Sequence, residues 1–201
     1  MINYILLSIA STVALLITSN VHAESLFGIE IGGAFSVREC TADDLVQGKN
    51  IDKGLCTRSK GVALTQHPWG ATTHQIEQPF GMHFASWGFQ PYGFNVKEFQ
   101  GKVIEISIAT FGADWQEEAM HDLVTKFGKP PAIKKSIMQN TFGVKVEKLS
   151  AKWKKAGYTV FFDGISGSTD TGFITIKTDD AILEEHAADQ WRSKNLPQPK
   201  M

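Results

Sequence analysis

The clearest period-two run in the chain is Val103 to Phe111 (VIEISIATF). Val103, Glu105, Ser107 and Ala109 fall on one face and Ile104, Ile106, Ile108 and Thr110 on the other. Such alternation predicts a strand, with Gln100-Gly101 as the turn ahead of it. Shorter runs predict strands at Phe27 to Ile31, stopped by Gly32-Gly33, and at Val62 to Leu64, Tyr158 to Phe162 and Phe173 to Ile176. Val144 to Trp153 predicts another, and its change of face between Val146 and Leu149 predicts a bulge. Met82 to Trp87 is a further strand candidate. It lies inside a stretch, His67 to Phe94, otherwise read as turns and loop because Gly and Pro punctuate it.

The helical period is best marked after Phe111. Trp115, Ala119, Leu123 and Phe127 recur every fourth position, with Met120 and Val124 beside them, so one face is apolar. Asp114 is placed to cap this helix, with Glu117 completing a capping-box pair. Lys126 suits its negative end, Gly128 fits the C′ position, and Pro130-Pro131 prevents continuation. Thr41 predicts a cap for a short helix, Ala42 to Val46. Asp179 or Asp180 predicts the cap of a last helix through Trp191, with Ile182, Leu183, Ala187 and Trp191 apolar.

Together these elements predict an α+β fold. Its antiparallel sheet of short strands carries two or three helices packed on one face. Gly101 to Phe127 and Gly172 to Trp191 follow the same order of turn, I-x-I strand, Asp cap and helix, which raises a duplicated strand–strand–helix unit.

The N-terminus follows a different pattern. Residues 1–23 contain no Lys, Arg, Asp or Glu, and an apolar stretch runs from Ile5 to Ile17. That stretch is shorter than the ~20 residues of a bilayer span. Val21-His22-Ala23 puts small residues at the −3 and −1 positions read by signal peptidase. The expectation is a cleavable signal peptide over 1–23, although the usual basic n-region is missing. A single domain would then occupy 24–194, with a loose tail at 195–201 bearing Pro197 and Pro199.

Charge adds an exclusion. The net charge of −1 gives no electrostatic footprint for nucleic acid or an anionic membrane, and no second long apolar run predicts a membrane span in the mature chain. Export changes the reading of Cys40 and Cys56, the two cysteines. In an oxidising compartment an even pair predicts one disulfide, closing over the short helix and loop between them.

No motif commits to a chemistry. Gly164-Ile165-Ser166-Gly167-Ser168 lacks the spacing of a nucleophile elbow and reads as a hairpin loop. Glu184-Glu185-His186 lacks the second His of a zinc-protease helix. His67, His74 and His83 match no standard metal spacing, with Glu77 the nearby carboxylate, so no metal or cofactor is expected. Glu117-Glu118 reads as a helix-surface pair. Asp163 and Asp170 flank a turn, and Asp170, Asp179 and Asp180 lack the calcium-loop pattern. The aromatic stretch is the candidate contact region. Trp69, Trp87 and Tyr92, with His74, are its candidate binding residues, since Trp and Tyr offer large area with a polar handle.

The expectation is thus an exported, non-catalytic binding protein, periplasmic or secreted, of inhibitor, immunity or adaptor type. Its partner would be a protein or another envelope ligand. The alternatives are an envelope-assembly or cell-wall accessory module, and a hydrolase with a scattered site.

Overall fold

A computed structural model describes residues 25–45, 54–57, 62–63, 70–77, 93–139 and 142–195. Twelve strands and two α-helices are described. The chain opens with β1 (Ser25–Leu26) and β2 (Ile29–Glu30), then β3 (Arg38–Glu39), β4 (Cys56–Thr57), β5 (Val62–Ala63) and β6 (Thr72–Glu77). β7 (Gly93–Phe99) and β8 (Lys102–Thr110) precede α1 (Gln116–Phe127). β9 (Ile133–Gln139), β10 (Lys145–Lys154), β11 (Tyr158–Asp163), β12 (Gly172–Thr178) and α2 (Asp179–Asn195) complete it.

One large mixed sheet runs in the order β3-β4-β6-β7-β8-β12-β11-β10-β9, with β5 also paired to β6. Only β3–β4 is parallel; every other pair is antiparallel. The class is α+β as expected, but several strands are long, nine residues in the central β8 and ten in β10.

Cross-strand register defines two faces, because residues directly opposite point the same way. Val96, Ile106, Ile176, Val160 and Trp153 form one row, and Phe94, Ile108, Ile174, Phe162 and Ala151 the next. This first face is the main core, covered by Ala119, Met120, Leu123 and Phe127 of α1 and by Leu26 and Ile29 of the N-terminal hairpin. The second face carries the row Lys97, Glu105, Lys177, Thr159 and Lys154. α2 lies over it, with Lys177 Nζ 2.7 Å from both Glu185 oxygens.

The helices therefore pack on opposite faces, not on one. The same fact bears on the repeat. β7–β8–α1 and β11–β12–α2 do follow one order, and β8 pairs with β12. A two-fold normal to the sheet, which relates antiparallel neighbours, would put both helices on the same side.

Local chemistry accounts for further differences. Phe27 (φ 53) and Gly28 (φ 82) turn the predicted 27–31 strand into the β1–β2 hairpin. A bulge between Lys97 and Glu98 shifts the register of β8, so Val103 joins the main core while Ile104 packs with Ala71 and Ala181. β10 carries no bulge: it pairs with β9 without interruption from Lys145 to Ala151. Asp114 ends a 3-10 turn rather than capping α1, whose N-cap is Trp115 without a side-chain hydrogen bond. Gly128 ends α1 as expected, and Trp153 Nε1 and Lys155 Nζ donate to the carbonyls of Gly128 and Phe127 at 2.7 and 2.8 Å. At α2 the cap is Thr178, whose Oγ1 accepts from Ala181 N–H at 3.2 Å.

The helix expected after Thr41 is a single 3-10 turn, Ala42–Leu45. Its buried Asp44 accepts from both Arg38 nitrogens, at 2.6 and 3.1 Å, and from Thr41 N–H and Oγ1 at 2.7 and 2.8 Å. The Arg38 guanidinium first, then the Thr41 N–H, hold its carboxyl well below the usual carboxylate range. Cys40 and Cys56 form the predicted disulfide beside the parallel β3–β4 pair. The expected strand through Leu64 is β5, Val62–Ala63; Leu64 and Met82 to Trp87 lie outside the described residues.

Candidate functional site

The aromatic stretch divides. Trp69, Trp87 and Tyr92 lie outside the described residues, as do His67 and His83. His74 does not lie on a loop. It sits in β6 opposite Val96 on the main-core face and is 8 % exposed. Its ring stacks on Phe35 with centroids 4.0 Å apart. Nε2 is 3.3 Å from Glu98 Oε2, and the other Glu98 oxygen accepts from Gly101 N–H at 2.6 Å. His74 thus ties β6 to the β7–β8 turn. The described residues hold no group of three or more His, Cys, Asp or Glu that could bind a metal.

Exposed apolar side chains concentrate elsewhere. Six large hydrophobics are exposed among the described residues. Ile133, Ile137, Phe142 and Val144 belong to the β9–β10 hairpin, and Leu183 and Trp191 to the outer side of α2. Phe142 is 89 % exposed and Ile137 66 %. The reason is topological. β10 pairs with β11 only from Ser150 onward, whereas it pairs with β9 from Lys145. The pairing of Lys135–Gln139 with Lys145–Leu149 thus runs beyond the body of the sheet as a two-stranded arm, and β9 is the last strand, with no described strand on its outer edge.

The root of the arm is clamped. Gln116, buried on the first turn of α1, donates from Nε2 to Glu147 O at 2.7 Å and accepts from Leu149 N–H at 2.9 Å. Gly164 N–H donates to Leu149 O at 2.8 Å. These bonds take up backbone groups of β10 that β11 no longer reaches.

The hairpin is also basic. Residues 133–154 carry Lys134, Lys135, Lys145, Lys148, Lys152 and Lys154 against a single carboxylate, Glu147, on a chain of net charge −1. Lys135 pairs with Glu147 at 2.7 Å and Lys148 with Asp163 at 2.6 Å, while Lys154 pairs with Asp179. Lys134 and Lys145 form no ion pair among the described residues, and the ammonium of Lys152 lies 5.1 Å from the Phe161 ring centroid.

The open grooves on the second face include two that share Phe161. One, of about 550 Å³, lies over Phe161 between Lys134, Ser150 and Lys152. The other, of about 390 Å³, lies beneath α2 and is lined by Phe161, Thr175, Lys177, Glu185 and His186. Around it Lys97 and Lys177 flank the buried Glu105 at 2.8 and 3.4 Å. Burial lowers Lys177, but Glu185 and Glu105 outweigh it and raise the ammonium above its usual value. These charges are mutually satisfied, as a structural network requires. Asp122 of α1 is the described carboxyl pushed upward, by burial first and then by Glu118. It lines neither groove.

The arm was not legible as a site in the sequence. Its signal, in retrospect, is an I-K-K-S-I-M-Q run with lysines and apolar residues side by side, followed by N-T-F-G and a second lysine-bearing strand. Comparison with protein-family models, curated proteins and solved structures finds no match to this chain.

Proposed function

We propose that this chain is an exported, non-catalytic binding protein of the bacterial envelope, periplasmic or secreted, of inhibitor, immunity or adaptor type. The observation that supports the reading is the β9–β10 hairpin, clamped and basic, which carries four of the six large hydrophobics exposed among the described residues. Apolar side chains concentrated on a projecting element mark interaction surfaces. The Cys40–Cys56 disulfide suits an oxidising compartment, and no described helix is long and apolar enough to cross a membrane. The partner is a macromolecule, because the arm presents a ridge rather than a concave pocket.

The test is capture from envelope extract on immobilised mature protein, comparing the parent with Ile137→Asp, Phe142→Asp, Trp69→Ala and Trp87→Ala. The reading expects components retained by the parent and lost with the arm variants. Loss with the tryptophan variants alone would move the contact to the aromatic stretch. Equal retention by all five proteins overturns the reading. N-terminal sequencing of the exported product, expected to begin at Glu24, tests the compartment separately.

A further inference from the structure

The outer side of α2 carries a second exposed apolar surface, separate from the arm. We infer that it is a contact between two copies of this chain, in which α2 packs antiparallel on α2 of the other copy about a two-fold at Ala187.

Glu185 fixes the roll of the helix. Its carboxylate points down to β12, with both oxygens 2.7 Å from Lys177 Nζ. Ala181, one turn earlier, is buried against Ala71 and Ile104. At about 100° per residue, the positions two before and two after Glu185 face away from the sheet. Those positions are Leu183 and Ala187, and Trp191 continues the row one turn on. Leu183 is 68 % exposed and Trp191 60 %.

Two properties of this row fit a second copy. Its sizes read the same in both directions: large, small, large. An antiparallel two-fold at Ala187 sets Leu183 of each copy against Trp191 of the other. It also brings the helices closest where the side chain is smallest. Charge follows the same symmetry. The first turn of α2 is acidic, with Asp179 and Asp180, and the last is basic, with Arg192 and Lys194. Asp180 and Lys194 are equidistant from Ala187 in sequence, so the two-fold places each opposite its counterpart on the other copy. Both are exposed and form no ion pair among the described residues, which leaves them available to pair across the contact. A parallel arrangement would set acid against acid. A lipid surface fits poorly, because α2 carries five carboxylates against two basic side chains and anionic headgroups would repel them.

The row spans about 12 Å along the helix axis. A contact of that length lies at the low end of specific interfaces, so association is expected with a Kd on the order of 10–100 μM.

Sedimentation equilibrium of the mature protein, from about 5 to 500 μM, tests the inference. The parent should pass from monomer to dimer across that range. Trp191→Ser should weaken association roughly tenfold or more. Asp180→Lys and Lys194→Asp should each weaken it roughly tenfold, because each sets like charges at both ends of the two-fold. An equimolar mixture of those two variants restores opposite charges at both ends and should associate about as the parent does. This mixture keeps the test independent of any effect of Trp191→Ser on folding. A monomer at every concentration, a dimer unaffected by Trp191→Ser, or a mixture no tighter than its components overturns the inference. So does a dimer lost with Ile137→Ser but kept with Trp191→Ser, which would place the contact on the arm.

Discussion

Gln116 and Leu149, 33 positions apart in the chain, are joined by a buried hydrogen bond in which the Leu149 N–H donates to Gln116 Oε1 at 2.9 Å. Gln116 Nε2 donates in turn to Glu147 O, so one side chain stands in for the neighbouring strand that β10 has outrun. Replacing Gln116 with Leu keeps the volume but leaves both backbone groups unmet. The expected cost is about 1–3 kcal/mol in urea unfolding. Hydrogen exchange should be faster at Leu149 than at Val160. Unchanged protection at Leu149 would show that the clamp does not hold the arm.

Gly112 sits where the β11–β12 loop closes on the start of α1. Its φ is +62, and a Cβ there would lie 2.4 Å from Thr169 O and 2.5 Å from Thr171 N. Both neighbours are backbone, so they yield only by moving the loop. Gly112→Ala is expected to cost roughly 2–5 kcal/mol. Gly167, also at positive φ but with open space around it, provides the comparison. Gly167→Ala should cost only about 1 kcal/mol, from conformation alone. Equal losses in thermal unfolding would remove the close approach as the reason.

Asp44 makes a pH prediction. Its carboxyl is held below the unfolded value of about 3.9 by Arg38 and Thr41. A depressed folded pKa stabilises fully above the unfolded value, and the contribution is lost as pH falls below it. Asp44→Asn should therefore be less stable than the parent from neutral pH down to about pH 4, with the gap closing below that. A gap as wide at pH ~3 as at pH ~7 would sink the assignment.

The Cys40–Cys56 bridge closes a 16-residue separation around the 3-10 turn. On the chain-entropy model it contributes about 3 kcal/mol. Reductant should lower the denaturation midpoint of the parent and leave a Cys40→Ala/Cys56→Ala protein unchanged. Exchange should quicken first at Cys40 N–H, which donates to Thr57 O across the β3–β4 pair.

The sequence by itself determined the elements whose own residues carry their reason for existing. β8 and β12 announce themselves through I-x-I alternation because both are central, with a face that must be apolar. α1 is legible through the stripe from Ala119 to Phe127 and through Gly128, which supplies the positive φ its end requires. The disulfide was predicted from an even pair of cysteines together with the expectation of export. Tertiary structure decided what depends on neighbours. β9 carries no buried face, since it is the edge of an arm that outruns the core, so no period marked it. Strand β6 was hidden in a stretch read as loop because its pairing with β7 lies some twenty residues away. The placement of α2 on the second face depends on Lys97, Glu105, Lys177 and Glu185 meeting across four elements. Period and spacing record local demands; which face is covered, and which edge is left open, is settled by packing between distant segments.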